Sequence, residues 1–84
     1  METRIAVMSI IVENPESAEK INKVLHDYGE YVIGRMGIPY KPRKINIISI
    51  ALDAPQDKIS ALAGTVGNIE GVSVKTAYSG NGAK

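Results

Sequence analysis

Residues 5–15 read IAVMSIIVENP, and forty positions later residues 45–55 read INIISIALDAP. Ile5 falls opposite Ile45, Val7 opposite Ile47, Ser9 opposite Ser49, Ile10 opposite Ile50, Glu13 opposite Asp53 and Pro15 opposite Pro55. The likeness continues downstream, because a helical stretch follows each proline, each ends at a glycine (Gly29, Gly67), and Val32 then falls opposite Val72. Two copies are too few for a solenoid, whose units bury their apolar faces only by stacking. They read instead as one domain made of two similar β-α-β halves.

Within the first half, Asn14 is a suitable N-cap, and Pro15 fits the first helical position, where its missing N–H removes no helical hydrogen bond. Ala18, Ile21, Val24, Leu25 and Tyr28 recur at helical spacing, with Glu19, Lys20, Lys23 and Asp27 on the other side. In the second half Asp53 and Gln56 have capping-box spacing, and Ile59, Leu62, Ala63 and Val66 form an apolar stripe before Gly67. Residues 5–12 and 45–52 are nearly unbroken apolar runs rich in β-branched residues, as central strands are. Residues 30–38 and 71–79 carry Gly34, Arg35, Gly37 and Lys75, which suits edges. A β-α-β-β-α-β order with strands one and three in the middle is the split β-α-β, or ferredoxin-like, arrangement. The expectation is an α+β fold, a four-stranded antiparallel sheet with both helices on one face.

Two helices cover one face only. Yet along strand one Ile5, Val7 and Ile11 point one way and Ala6, Met8, Ile10 and Val12 the other, while Ile45 and Ile47 oppose Ile48, Ile50 and Leu52 on strand three. An uncovered apolar patch of this size marks an interface, so a homo-oligomer, dimer or tetramer, is expected. Met8, Ile10, Ile48 and Ile50 are assigned to that contact, together with the edge-strand glycines Gly34 and Gly37.

Composition narrows the function classes. The chain has 84 residues, read as one domain over 1–79 with a Gly-rich tail, 80–84, expected to be disordered. A monomer of this size buries only about 60–65% of its unfolded surface, so association would add needed burial. There is no cysteine, which excludes disulfides, thiolate metal sites and Cys nucleophiles. The net charge is +1, and GRMGIPYKPRK (34–44) holds four bases and no acid, so the remainder is −3. Positive charge is therefore local rather than general. The start METRIAVMSIIV reads as a strand rather than a leader, because Glu13, Pro15 and a polar helix stand where a cleavage site would be. No run approaches the ~20 apolar residues of a membrane span, and a soluble cytoplasmic protein without membrane partners is expected.

Base-stacking RNA-recognition motifs need aromatics on strand three, and here that strand is INIISIAL in a chain without Phe or Trp. The one histidine, His26, lies roughly 150° from the centre of its helix's apolar stripe by the 3.6-residue period, placing it in solvent. No carboxylate pair has acid-base spacing, and Ser9 and Ser49 read as small hydroxyls within packed strands. No catalytic residue, metal ligand or cofactor is assigned, and the chain is read as a non-enzyme. GRMGIPYKPRK reads mainly as a hairpin connection, Pro39 and Pro42 stopping the strand. Its alternative reading is contact with an anionic cofactor or nucleic acid through Arg35, Lys41, Arg43 and Lys44. Strand glycines mark close approach by another backbone or a ligand. A small-molecule effector is accordingly expected between subunits, near Glu13, Asn14 and Pro15 and against Gly34, Arg35, Met36 and Gly37.

Four strings, VIGRMGIPY (32–40), INIISIAL (45–52), ISALAG (59–64) and GVSVKTAYS (71–79), in this order resemble the family of iron-only hydrogenase system regulators, over roughly residues 3–79. The resemblance implies a stand-alone ferredoxin-like domain of the ACT kind. It also implies similarity to the C-terminal domain of nickel-responsive regulators, which associate through their sheets. Two departures limit what it carries. Nickel-responsive regulators use several histidines and a cysteine, whereas His26 stands alone here. ACT domains that bind amino acids have glycine directly after the proline between strand one and helix one, and here Glu16 follows Pro15 and Gln56 follows Pro55. A DNA-binding helical segment is also missing, since both helices are needed on the sheet. A role in transcription would require a protein partner, nucleic acid not being contacted by this chain alone.

Overall fold

The computed structural model describes residues 2–80. Its elements run β1 (Arg4–Val12), α1 (Ala18–Asp27), β2 (Val32–Tyr40), β3 (Ile45–Ala54), α2 (Gln56–Gly67) and β4 (Val72–Tyr78), with 3₁₀ turns at Pro15–Ser17, Gly29–Tyr31 and Lys41–Arg43. The sheet order is β2-β3-β1-β4 and every pair is antiparallel. This is the α+β arrangement read from the sequence, with the two apolar runs as the central strands. In the β1–β3 register Ser9 sits opposite Ser49. Those serines are also equivalent positions in the forty-residue repeat, so an approximate twofold axis relating the halves passes between them.

Side-chain alternation divides the sheet into two layers. Ala6, Met8, Ile10 and Val12 of β1 and Ile48, Ile50, Leu52 and Ala54 of β3 are buried, in one core with Ile21 and Leu25 of α1 and Ile59, Leu62 and Val66 of α2. Each fully buried aliphatic side chain contributes roughly 1.5–3 kcal/mol of transfer free energy, so this layer holds the helices down. Met8 is 0% and Ile50 1% exposed. That corrects the interface expected at Met8, Ile10, Ile48 and Ile50: within the chain the helix layer occupies their side of the sheet.

Two local expectations change as well. β2 continues through Pro39, which pairs opposite Asn46, to Tyr40 opposite Ile45. An edge strand accepts proline where the missing N–H faces away from the ladder. Asp53 and Gln56 form no capping box, for Asp53 is still inside β3 and the N-cap of α2 is Pro55, without a side-chain cap. Gln56 works across the sheet edge instead. Its amide donates to the Ser60 hydroxyl at 3.0 Å and to the Tyr78 hydroxyl at 2.8 Å, its carbonyl accepts from Arg4, and the Arg4 guanidinium lies 4.2 Å from the Tyr78 ring centroid. These groups are exposed, so Gln56→Ala is expected to lower stability by no more than about 1 kcal/mol, measured by urea unfolding. Of the expected tail, 80–84, only Gly80 lies within the described residues.

The β1–α1 turn is clasped to the α2–β4 turn. Asn14 caps the first 3₁₀ turn, its side-chain oxygen accepting from the Glu16 N–H at 3.0 Å. Ser17, buried, donates its hydroxyl to the Glu70 carbonyl at 2.7 Å, and the Glu13 N–H donates to the Gly71 carbonyl at 2.7 Å. Gly71 has φ +75. A Cβ there would stand 2.7 Å from the Asn14 Cβ, so the residue type follows from both backbone conformation and space.

Candidate functional site

The layer opposite the helices is the first feature with functional content. Reading the register across the strands gives rows Ile38–Ile47–Ile11–Ser73, Met36–Ser49–Ser9–Lys75 and Gly34–Ala51–Val7–Ala77, with Tyr40–Ile45 beyond one end and Asp53–Ile5 beyond the other. Ile5, Val7, Ile11, Met36, Ile38 and Tyr40 are all exposed, Val7 and Ile11 to 41% and 42%. The two charges in these rows, Lys75 and Asp53, cancel. Four strands about 4.8 Å apart and nine residues at about 3.4 Å each make a face of roughly 550 Å² in projection.

The second feature lies on the helix side, where α1 fails to cover β2. Ala18, Asn22 and His26, four residues apart, turn one side of α1 toward β2. Between them and the strand runs a groove in three connected parts. The middle part, about 270 Å³, is bounded by Ala18, Asn22, Arg35, Gly37, Pro39 and Asn46, with Ile48 as its floor. Toward the end of α1 it opens into about 350 Å³ beside His26 and Val32. Toward the hairpin it continues into about 260 Å³ beside Pro15, Tyr40, Lys41 and Lys44. The Arg35 guanidinium spans the groove and donates to the Asn22 side-chain oxygen.

The residues proposed from sequence fall into three groups. Arg35, Gly37 and Pro15 border the groove. Gly34 and Met36 belong to the helix-free rows, opposite Ala51 and Ser49. Glu13 and Asn14 are engaged with Gly71 across the β1–α1 turn. A single chain therefore does not gather these seven around one cavity. The four bases divide too: Lys41 and Lys44 line the hairpin end, Arg35 stands in the middle of the groove, and Arg43 lines neither part. Sequence reasoning missed Asn22 and Asn46, although Ala18, Asn22 and His26 at intervals of four were a readable sign of a second helix face. Among the described residues nothing lies within 4 Å of a Cβ built at Gly34 or Gly37, so their packing does not require either glycine.

Among the described residues no group of three or more His, Asp or Glu is arranged to hold a metal ion, and no helix is long and apolar enough to cross a membrane. His26 is exposed, and Ser9 and Ser49 face each other within the apolar rows.

A family model described as "TM1266-like: Iron-only hydrogenase system regulator, putative" matches residues 4–76. The chain belongs to this family. The resemblance carried by VIGRMGIPY and GVSVKTAYS is thus confirmed over both features described above. Protein TM1266 from Thermotoga maritima, of known structure, is 33% identical; the match covers 92% of this chain and 98% of that one, with a TM-score of 0.88. Two more distant structures share the fold alone. The C-terminal domain of MgtC from Mycobacterium tuberculosis is 11% identical, with a TM-score of 0.74 over 94% of this chain and 90% of that one. A formyltetrahydrofolate deformylase from Pseudomonas putida KT2440 is 11% identical, with a TM-score of 0.63 over 87% of this chain and 28% of that one. Comparison with the curated proteins finds no match. As a TM1266-like chain, the protein carries its family's description as a regulator within residues that also build the sheet face and the groove.

Proposed function

We propose that this TM1266-like chain is a non-enzymatic regulatory module of an iron-only hydrogenase system, working as a homo-oligomer with helix-free faces packed together and responding to a small effector. The observation that carries the reading is the exposed row structure around Val7 and Ile11. A projected face of roughly 550 Å², roughened by side chains, approaches the ~800 Å² per partner of a stable dimer. Its charges sum to zero, so a second copy is not repelled, and a C2 pairing needs only one self-complementary patch. The non-enzymatic part is supported by the family's description as a regulator. Regulation then rests on binding, in the manner of a domain whose ligand or partner protein shifts its assembly. The basic hairpin gives little support to nucleic-acid contact, because Arg35 is bonded to Asn22 within the groove and Arg43 does not line it.

Sedimentation equilibrium at micromolar concentration is expected to give a dimer or tetramer mass. A monomer mass for the intact, folded chain would overturn the reading.

A further inference from the structure

The groove beside α1 has a chemistry of its own. Arg35, Lys41 and Lys44 supply cations, Asn22 and Asn46 supply carboxamides, and among the described residues no carboxylate borders the middle or hairpin parts. The floor is apolar, made by Ile48 with Pro39 beside it. Its depth comes from what β2 omits: Gly37, opposite Ile48, and Pro39, opposite Asn46, send no long side chain across. From Arg35 to the Lys41 turn is about six residues of strand, or roughly 20 Å at about 3.4 Å per residue. The cations thus stand at two stations along a trough.

We infer that this groove binds an elongated organic anion. Its carboxylate or phosphate is held by the Arg35 guanidinium with Asn22, its body lies over Ile48 and Pro39, and Lys41 and Lys44 receive a further acidic group. A guanidinium suits this role because its planar donors match two oxygens of either anion. Arg35 is already oriented by Asn22, so little side-chain freedom is lost when the anion arrives. The inference rests on the effector half of the proposed function and is independent of the helix-free face.

The test is an NMR titration of the intact chain with adenosine 5′-monophosphate, phenylacetate and inorganic phosphate, which separates phosphate from carboxylate and body from head group. At least one organic anion is expected to shift the side-chain amides of Asn22 and Asn46 and the backbone amide of Gly37 saturably, and to bind more tightly than inorganic phosphate. Arg35→Gln is expected to weaken that binding about tenfold or more, as loss of one charged hydrogen-bond partner does. Arg43→Gln, outside the groove, leaves it within about twofold. Gly37→Val places a side chain in the trough at a position where a Cβ meets no neighbour among the described residues, and is expected to block binding with the fold intact. Equal losses in the Arg35 and Arg43 variants would reduce the effect to general charge and overturn the site, as would absence of shifts at Asn22, Asn46 and Gly37 with every probe. Binding there with no change in sedimentation mass upholds the site and removes only its coupling to assembly.

Discussion

Val7→Lys is expected to yield a folded monomer, and Met8→Lys, one residue further on, no folded chain. The two side chains point to opposite faces of β1. Val7 stands in the helix-free row with Gly34, Ala51 and Ala77, 41% exposed, whereas Met8 is 0% exposed beneath the helices. A lysine at position 7 is solvated in the separate subunit and costs it little. In the proposed assembly it carries an unpaired ammonium into an apolar contact, where burying a charge without a partner costs several kcal/mol. The dissociation constant is expected to rise at least about a hundredfold, each factor of ten being about 1.4 kcal/mol. A lysine at position 8 brings the same charge into the core, on top of the lost methionine contacts, at a cost comparable to the whole stability of a small domain. Circular dichroism with sedimentation velocity reads both outcomes. If Val7→Lys retains the wild-type mass, the helix-free face is not the contact. If Met8→Lys folds as well as Val7→Lys, the layer assignment itself fails.

That contrast also shows what the sequence could and could not disclose. The forty-residue repeat made the β-α-β-β-α-β order and the central position of β1 and β3 legible, because composition and period both pointed to strands. Both strands being apolar on either side, the amplitude of the pattern did not say which side takes the helices. A weaker signal did: Ser9, Ser49, Asp53 and Lys75 all share the parity of Val7 and Ile11, while the one polar residue of β1 on the parity of Ala6, Met8, Ile10 and Val12 is Arg4, at the first position of the strand. Polar side chains on one parity mark the face without helices even when most of that face is apolar. The groove was harder to read. Arg35 and Gly37 were visible as unusual strand residues, but Asn22 and Asn46 come from α1 and β3, and only the packing of α1 short of β2 brings them together. The capping box failed for a related reason: β3 runs on through Asp53 to Ala54, paired with Ile5 and Arg4 of β1, and tertiary pairing took the residue that local spacing had offered to the helix.

Gly71→Ala is expected to destabilise the chain by about 2–4 kcal/mol. Two independent costs act at this position. An L side chain at φ +75 meets the left-handed penalty, about 1–2 kcal/mol for a residue other than glycine. The added methyl would also lie 2.7 Å from the Asn14 Cβ and 3.1 Å from its backbone N, and neither is the end of a flexible side chain. Relief requires moving the β1–α1 turn, which is held at this point by the Glu13 N–H to Gly71 carbonyl bond and by the Ser17 hydroxyl on the Glu70 carbonyl. Ser17 is 4% exposed, so separating it from its acceptor strands a buried polar group, at about 1–3 kcal/mol if the bond is lost outright. Gly34→Ala is the control, since nothing among the described residues lies within 4 Å of a Cβ there; as an exposed strand residue it should change stability by under about 0.5 kcal/mol. Urea denaturation of the Val7→Lys background separates this effect from assembly, because the monomer's unfolding no longer includes subunit dissociation. A Gly71→Ala chain as stable as wild type would mean that the two turns are free to part, and that α1 and β4 do not hold each other through this contact.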